Sequence, residues 1–483
     1  MRQIAGHSGA GVTETGAWPR GTRNAEASVD TSESLLVAGI DLGSTNIKLL
    51  VTEVDGTVFL ERQAPTPWVT AGTHTEMSAD MLMIVVRGLL ADADDEVRDR
   101  DRRVGAVAIT GMGETGVLVG ADDTALTPAV AWFDGRGAEE ITAFPDAVRR
   151  EFGGRTGLPF GSQVSVAKLA WFAAQGVDLS EAMWLNLPEY VAFALGGEAV
   201  AELSLASRTG LIDQDTSAPW PAMLDALGVT GNLLPRLVPA GTSIGIMTGG
   251  PRRFETAVLT VAGHDHLVAA EADQPIRADE YHVSLGTAEV LLRVIDQPLG
   301  RAARERLTDY LINEVHHVVP GKRVLVAGVK TGLLLRRALH AIGVHDREAR
   351  TLLDQAVVAL GPSLGDGGPV EADGARNDDG DLRLTFVADG ARPEHVFRAV
   401  LDNSNEEILR LIAAMDAELP PATSAVLTGG WVGMQSVVDA RDRILPDLSV
   451  SKREQETAYG ATRFAARLLR PTTTSESHTR SNV

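Results

Sequence analysis

Between residues 35 and 470, short apolar runs alternate with longer stretches in which apolar residues recur at helical spacing, the pattern of an α/β protein. The first runs form a meander: Leu35–Asp41, a Gly43-Ser44-Thr45 turn, Ile47–Glu53, an Asp55-Gly56 turn and Val58–Arg62. Ser78–Leu90 reads as a helix with Ser78 as N-cap and Met, Leu, Ile and Val on one face. Asp92–Arg103 carries both charge signs and reads as the solvated end of that helix plus a loop. Strands return at Val104–Thr110 and Gly116–Val119, around a loop holding Met112-Gly113-Glu114-Thr115. Ala257–Val261 reads as a strand leading into a small-residue helix, Leu267–Ala272, and a second strand-rich region begins near Tyr281. Gly361–Asp381, rich in Gly and Asp, reads as a flexible surface loop. Ala425–Gly430 reads as a strand, followed by helices over Met434–Ile444 and Glu456–Leu469. The last has a face of small residues, Ala458, Gly460, Ala461 and Ala465, suited to close packing.

One pattern occurs twice. Val37–Thr45 and Tyr281–Ala288 both read as strand, Leu-Gly-hydroxyl turn, strand, and each opens one half of the chain. Two similar domains meeting at a cleft are implied. The length of 483 residues agrees with two domains, bounded here as 35–273 and 274–470. Residues 1–34 and 471–483 show no periodicity and read as disordered tails.

Lys and Arg number 44 against 65 Asp and Glu, a net charge of −21 that argues against nucleic acid or an anionic membrane as partner. A phosphorylated small molecule remains open, because backbone N–H groups and a metal ion hold phosphate without net basicity. Cysteine is absent, which removes disulfides, thiolate metal sites and cysteine nucleophiles. No apolar run spans a membrane and no signal-peptide core precedes residue 35, so a cytoplasmic location is expected.

Several segments carry candidate chemistry. At the first turn, Gly43 allows close approach of a ligand, Ser44, Thr45 and Asn46 add polar donors, and Lys48 follows on the return strand. Asp41 could hold hydrated Mg²⁺ beside phosphates, or simply cap its own turn. Gly286-Thr287 supplies a matching turn, and two opposed donor turns can clasp a triphosphate. Asp265, in Ala262-Gly263-His264-Asp265-His266, sits where strand gives way to helix: an N-cap, a general base, or one of three metal ligands with its histidine neighbours. Glu114 could accept hydrogen bonds from vicinal hydroxyls and Trp132 could cover a sugar carbon chain, although a solvated Glu and a core Trp are the plainer readings. Asp134 and Arg136 could pair with each other. Gly429-Gly430, ending a strand, would let a flat ring such as adenine lie against the backbone.

In this order and spacing, the segments over residues 36–469 resemble the FGGY family of carbohydrate kinases, within the sugar kinase, heat-shock chaperone and actin superfamily. Gly39–Lys48 looks like the family's first phosphate loop, and Ser284-Leu285-Gly286-Thr287 like the second. Ile109–Val119 and Ala129–Arg136 look like its two sugar loops, and Thr156-Gly157-Leu158-Pro159 with Lys168 and Trp171 like a segment of its N-terminal domain. Gly263–His266 occupies the place of the Gly-x-x-Asp that carries the base; Gly429-Gly430 and Glu456–Ala461 resemble the adenosine-side motifs.

The resemblance implies two ribonuclease-H-like (actin-like ATPase) domains flanking a deep cleft. Residues 35–273 would bind sugar and carry the base, and 274–470 would bind ATP. Asp265 would take a proton from the substrate hydroxyl and Asp41 would help place Mg²⁺. Gly43, Ser44, Thr45, Asn46, Lys48, Gly286, Thr287, Gly429 and Gly430 would hold ATP, with Met112, Gly113, Glu114, Trp132, Gln163, Asp265 and His266 around the acceptor. Homodimerisation is a further possibility. The sugar loop departs from the glycerol-kinase pattern, in which an Arg-Glu pair grips hydroxyls: Glu114 is kept, but Gly113 stands at the Arg position, Gln163 at a Tyr position and His266 at a Gln position. Such losses enlarge a pocket and favour a longer alditol or ketose over glycerol. The Pro-Tyr-Leu-x-Gly-Glu-Arg stretch of the C-terminal domain is not recognisable before Asp381. The competing readings are a superfamily ATPase without a sugar acceptor and a catalytically silent sugar or nucleotide sensor.

Overall fold

The computed structural model describes residues 35–229, 233–272, 277–362, 368–451 and 456–470; the tails expected to be disordered lie outside these. Two six-stranded sheets form the frame. The first contains β1 (Leu35–Leu42), β2 (Asn46–Glu53), β3 (Val58–Pro65), β4 (Arg103–Gly111), β5 (Ser243–Ile246) and β6 (Val258–His264), in the order β5-β6-β4-β1-β2-β3. The second contains β7 (Glu280–Leu285), β8 (Glu289–Ile295), β9 (Asn313–His316), β10 (Arg323–Val329), β11 (Ser424–Thr428) and β12 (Leu448–Val450), in the order β9-β10-β8-β7-β11-β12.

Apart from the extra strands β5 and β9, the two sheets have one topology. In each half the first three strands run antiparallel as a meander, and the fourth and fifth add on parallel to the first. This is the ribonuclease-H-like arrangement, present twice. Leu42-Gly43 and Leu285-Gly286 both terminate the first strand of their half, so the repeated Leu-Gly-hydroxyl pattern marks a structural duplication. The central strands are buried on both faces, which is why β1 and β4 read as almost unbroken apolar runs.

The charged stretch after Leu90 forms the end of the first helix as expected, whereas the expected loop Gly361–Asp381 is partly strand. The helix from Ala79 runs to Asp99, because Ala93 and Val97 continue the buried stripe of Leu82, Met83, Val86, Leu89 and Leu90 while the charges of 92–99 stay on the outer side. Ser78 stands at its N-cap without a side-chain cap bond. Part of the expected loop Gly361–Asp381 is instead a strand, Val370–Asp373, paired antiparallel with Arg383–Phe386. Arg383 stabilises this hairpin by pairing with Asp373 and Asp379, a cross-strand charge match that composition alone conceals.

The halves share one buried apolar cluster, which includes Phe152, Leu211 and Ile212 of the first and Val290, Leu292, Val315 and Val324 of the second, and they are joined further by the last helix and by polar contacts. The helix Glu456–Leu468 returns to pack on β1 and β4 of the first sheet and on the helix Asp265–Ala270. Its small face permits this: a Cβ on Gly460 would stand 2.2 Å from the Val268 carbonyl oxygen, and one on Gly39 of β1 would stand 2.3 Å from that of Ala458. A further junction is polar. Buried Arg304 donates from Nε to the Gly154 carbonyl (2.7 Å) and pairs through Nη2 with Asp215 (2.5 Å), while Glu314 N–H donates to the Gly157 carbonyl (3.0 Å). Among the described residues, no helix is long and apolar enough to cross a membrane.

Gly39→Ala should lower stability by about 1–3 kcal/mol through overpacking against the last helix. Urea unfolding monitored by circular dichroism checks this, and an unchanged midpoint would remove the close-packing argument.

Candidate active site

The parallel strands β1, β4 and β6 end in register: Leu42 pairs with Gly111, and Gly111 pairs with His264. Neighbouring strands lie about 4.8 Å apart, so Asp41–Gly43, Met112–Glu114 and His264–His266 leave the sheet along one edge. In the second sheet Ser284 pairs with Thr428, which brings Gly286-Thr287 beside Gly429-Gly430.

Asp41 is 5% exposed, and its Oδ1 is buried without a hydrogen-bond partner. Lys48, directly opposite on β2, brings Nζ to 3.9 Å of Oδ2. Burial, reinforced by the charge of Asp265, raises the Asp41 carboxyl to about 7, against the smaller opposing effect of Lys48. The turn that follows is braced from behind. Thr66 Oγ1 donates to the Gly43 carbonyl (2.6 Å), Thr66 N–H to that of Thr45 (3.0 Å), and Trp68 Nε1 to that of Ser44 (2.8 Å). Three consecutive carbonyls are thereby occupied, while Ser44 and Thr45 remain exposed at the tip. Gly43 is required by the turn itself, since a Cβ there would stand 2.8 Å from the Asn46 carbonyl oxygen.

Asp265 opens the helix Asp265–Ala270, and the N-cap is His264 rather than Asp265. The Asp265 carboxylate accepts from the His266 backbone N–H (2.6 Å), with His264 Nδ1 at 3.6 Å and His266 Nε2 at 4.0 Å. Burial would push this carboxyl up, but His266, the His266 N–H and Arg208 oppose it, and the group lies below the ordinary aspartate value. Its side chain keeps 20% of its surface, so it is an ionised carboxylate with access to the site edge. His264 is pushed down to about 3 by burial and is neutral. Among the described residues, no group of three or more His, Asp or Glu side chains is arranged to hold a metal ion.

The segment carrying Asp265 is fixed through Ser204. Its Oγ accepts from His264 N–H (3.0 Å) and donates to buried Glu202 (2.6 Å). Gly263 has φ +106°, and a Cβ there would stand 2.6 Å from Ser204 Oγ and from Val318 Cγ1. Glycine is therefore needed for both conformation and space.

Glu114 is buried at φ 61°. Arg208 donates to Glu114 Oε1 from Nε at 2.5 Å and also from Nη2. Burial raises the Glu114 carboxyl and Arg208 opposes the rise. The position beside Gly113 is filled: a Cβ there would stand 2.9 Å from His264 Cδ2 and 3.4 Å from Arg208 Cγ. The expected pocket enlargement at Gly113 is thus offset by the His264 ring and the Arg208 stem.

Half-buried Trp132 packs edge-to-face on Phe133, with ring centroids 5.4 Å apart. Asp134 and Arg136 do pair (2.9 Å), and Asp134 also accepts from Thr75 N–H (2.6 Å). Buried Lys168 ties this loop to the next segment, donating to the carbonyls of Asp134 (2.5 Å), Arg136 (3.2 Å) and Ser162 (2.6 Å). The Trp171 ring lies 5.0 Å from the Arg136 guanidinium. Gln163, next to Ser162, is exposed, and two residues on Ser165 Oγ donates to the Glu114 carbonyl (3.1 Å). Met112 is buried, and its N–H donates to the Leu42 carbonyl (3.2 Å).

In the second half, Gly286 N–H donates to the Ala288 carbonyl (2.9 Å), and the Gly286 carbonyl accepts from Trp431 Nε1 (3.1 Å). Gly429, at φ +105°, would put a Cβ 2.4 Å from the Leu285 carbonyl oxygen, whereas Gly430 faces open space. Beneath Thr287 lies a buried network: Glu289 accepts from Arg441 Nε (2.7 Å), Arg441 Nη2 (2.6 Å) and Thr331 Oγ1 (2.6 Å). Sequence reasoning missed Thr66, Trp68, Ser204 and Arg208, because they arrive from segments without a motif or period of their own.

Residues 36–270 match the FGGY family of carbohydrate kinases, N-terminal domain. The chain is 23% identical over 303 residues to a gluconokinase of Bacillus subtilis, covering 59% of this chain and 56% of that protein. It thus spans about half the length of the first curated relatives it matches. A glycerol kinase of Rhizorhabdus wittichii aligns over 459 residues at 25% identity, covering 89% of this chain and 88% of the relative. The fold matches the crystal structure of Plasmodium falciparum glycerol kinase with ADP at a TM-score of 0.78 and 16% identity, over 90% of this chain and 89% of that one. By sequence, residues 36–270 belong to the FGGY family of carbohydrate kinases as its N-terminal domain, and both halves share the fold of the matched structure.

Proposed function

We propose that this chain is an ATP-dependent kinase that phosphorylates a primary hydroxyl of a small sugar or polyol, with Asp265 as general base. The observation that carries the reading is the shared strand register. It brings Asp265, Glu114 and Asp41 to the Gly43–Asn46 turn on one edge of one sheet, which supports a shared site. A base needs a carboxylate that is ionised at working pH and within reach of the acceptor hydroxyl. The lowered Asp265 carboxyl supports the first requirement and its position at the strand end supports the second. Glu114 accepts acceptor hydroxyls. Gly43, Ser44, Thr45, Asn46 and Lys48 on one half, with Gly286 and Thr287 on the other, hold the phosphates. Gly429 and Gly430 border the adenosine. Most of the rate enhancement is then positioning and charge neutralisation.

Asp41 fits a role beside hydrated Mg²⁺. A buried carboxylate oxygen without a donor, next to a second carboxylate and offset only by Lys48 at 3.9 Å, is an electrostatic deficit that a divalent cation relieves. When bound, Mg²⁺ neutralises phosphate charge; Asp41 would hold it through water. The reading as an ATPase without acceptor leaves the buried Glu114–Arg208 pair beside Asp265 without a purpose.

Asp265→Asn should keep the fold and lower kcat by about 10²–10⁴-fold, measured as acceptor-dependent ADP release. Turnover within a few-fold of wild type would sink the assignment. A second expectation follows from Asp41. Its carboxyl is raised in the folded state, so its contribution to stability is present below about pH 4 and is lost as pH rises through about 7. Without ligands, Asp41→Asn should therefore gain in melting temperature over wild type as pH goes from 4 to 8, and Mg²⁺ with ATP should stabilise wild type more than the variant. A difference that stays constant with pH would contradict the buried-carboxylate account.

A further inference from the structure

The Glu114–Arg208 pair is built from two segments 94 residues apart. Both guanidinium contacts fall on one oxygen, Oε1, which leaves the other outside the ion pair. Arg208 Nη1 is buried without a hydrogen-bond partner. A buried donor left unpaired costs stability, so this arginine is not placed there for packing alone. Its stem and the His264 ring both stand where a side chain at Gly113 would project. Arg208 is therefore accommodated by the glycine of the acceptor loop, and it approaches Glu114 from the same side as the ring that flanks Asp265.

We infer that Arg208 is the positioning and specificity-determining residue of the acceptor pocket: it fixes the Glu114 carboxyl group through one oxygen and leaves the other to accept hydroxyls of an uncharged acceptor. This rests on the kinase reading above and narrows its substrate class. The groups facing Glu114 are Arg208, Asp265, His266 and, more distantly, Lys168, with His264 behind Gly113. Arg208 is committed to Glu114, and Lys168 to three backbone carbonyls. Lys48 lies beside Asp41. Glu114 and Arg208 cancel, and Asp265 leaves a net negative charge near the acceptor. A sugar acid would set its carboxylate against that charge, because Lys168 is taken up by carbonyls and the Arg208 charge is balanced by Glu114, with only the buried Nη1 left over; a neutral polyol or ketose would not meet that repulsion. The chain would thus differ in substrate from its gluconokinase relatives.

The test uses direct binding on the full chain, so that it stands apart from phosphotransfer. Isothermal titration without ATP compares neutral alditols and ketoses with aldonates of equal carbon number, for wild type, Arg208→Met, Arg208→Lys, Glu114→Gln and the Arg208→Met/Glu114→Gln double variant, between pH 5 and 8. The expected result is at least tenfold tighter binding of a neutral acceptor by wild type. Arg208→Met should weaken it about 10–100-fold, most at the acid end of the range, because Glu114 protonates more readily without its partner. Arg208→Lys should recover part of the loss, and the double variant should bind no worse than Glu114→Gln. A preference for aldonate, a pH-independent loss in Arg208→Met, or additive losses in the double variant would each overturn the inference. If Arg208→Met melts before binding can be read, Arg208→Lys and Glu114→Gln carry the pH comparison. Binding as expected with no phosphorylated product would remove the kinase reading and leave this one standing.

Discussion

The site depends on one constraint: three parallel strands of the first sheet end in the same register. Leu42, Gly111 and His264 stand side by side, so the residues after them share an edge although they come from positions around 41, 114 and 265. A slip of one residue in either pairing would turn the adjoining side chains to the other face. Carboxylates gathered this way repel and lose solvation, and the surrounding structure manages that cost one by one. Asp41 keeps a raised carboxyl with Lys48 nearby, Glu114 takes Arg208, and Asp265 is held below the ordinary aspartate value by His266, its backbone N–H and Arg208.

The second half repeats the frame without the acids. Its first strand also ends in a Leu-Gly-hydroxyl turn, but the buried charge there, Glu289 with Arg441, is fully paired below the turn. Breaking one member of such a pair exposes an uncompensated charge in the interior, so the network keeps Gly286-Thr287 in place. One duplicated topology has thus taken two tasks. The first half gathers carboxylates at its strand ends, and the second gathers glycines and a hydroxyl.

Much of this was legible in the sequence because it is local. The meander, the two Leu-Gly-hydroxyl turns and Asp265 after a short apolar strand are read from neighbouring residues, and the small face Ala458–Ala465 announces a close contact without saying with what. What was not legible is carried by distant partners. Nothing near Glu114 points to Arg208, nothing near His264 points to Ser204, and the brace of Thr66 and Trp68 depends on how β3 leaves the sheet. The strand at Val370–Asp373 was hidden by its Gly- and Asp-rich surroundings, since its partners, Arg383 across the hairpin and the helix Pro393–Asp416 that it packs on, come from later in the chain. The pocket at Gly113 shows the same limit: an absent side chain reads as empty space until the residues that fill it are placed.

The most direct measurement of the account's central claim is product formation across neutral C3 to C7 alditols and ketoses with Mg²⁺ and ATP, followed by ³¹P NMR. The account predicts a phosphomonoester of a primary hydroxyl, formed in equal amount to ADP and only when an acceptor is present. ADP accumulating with inorganic phosphate, at a rate independent of every acceptor, would contradict it.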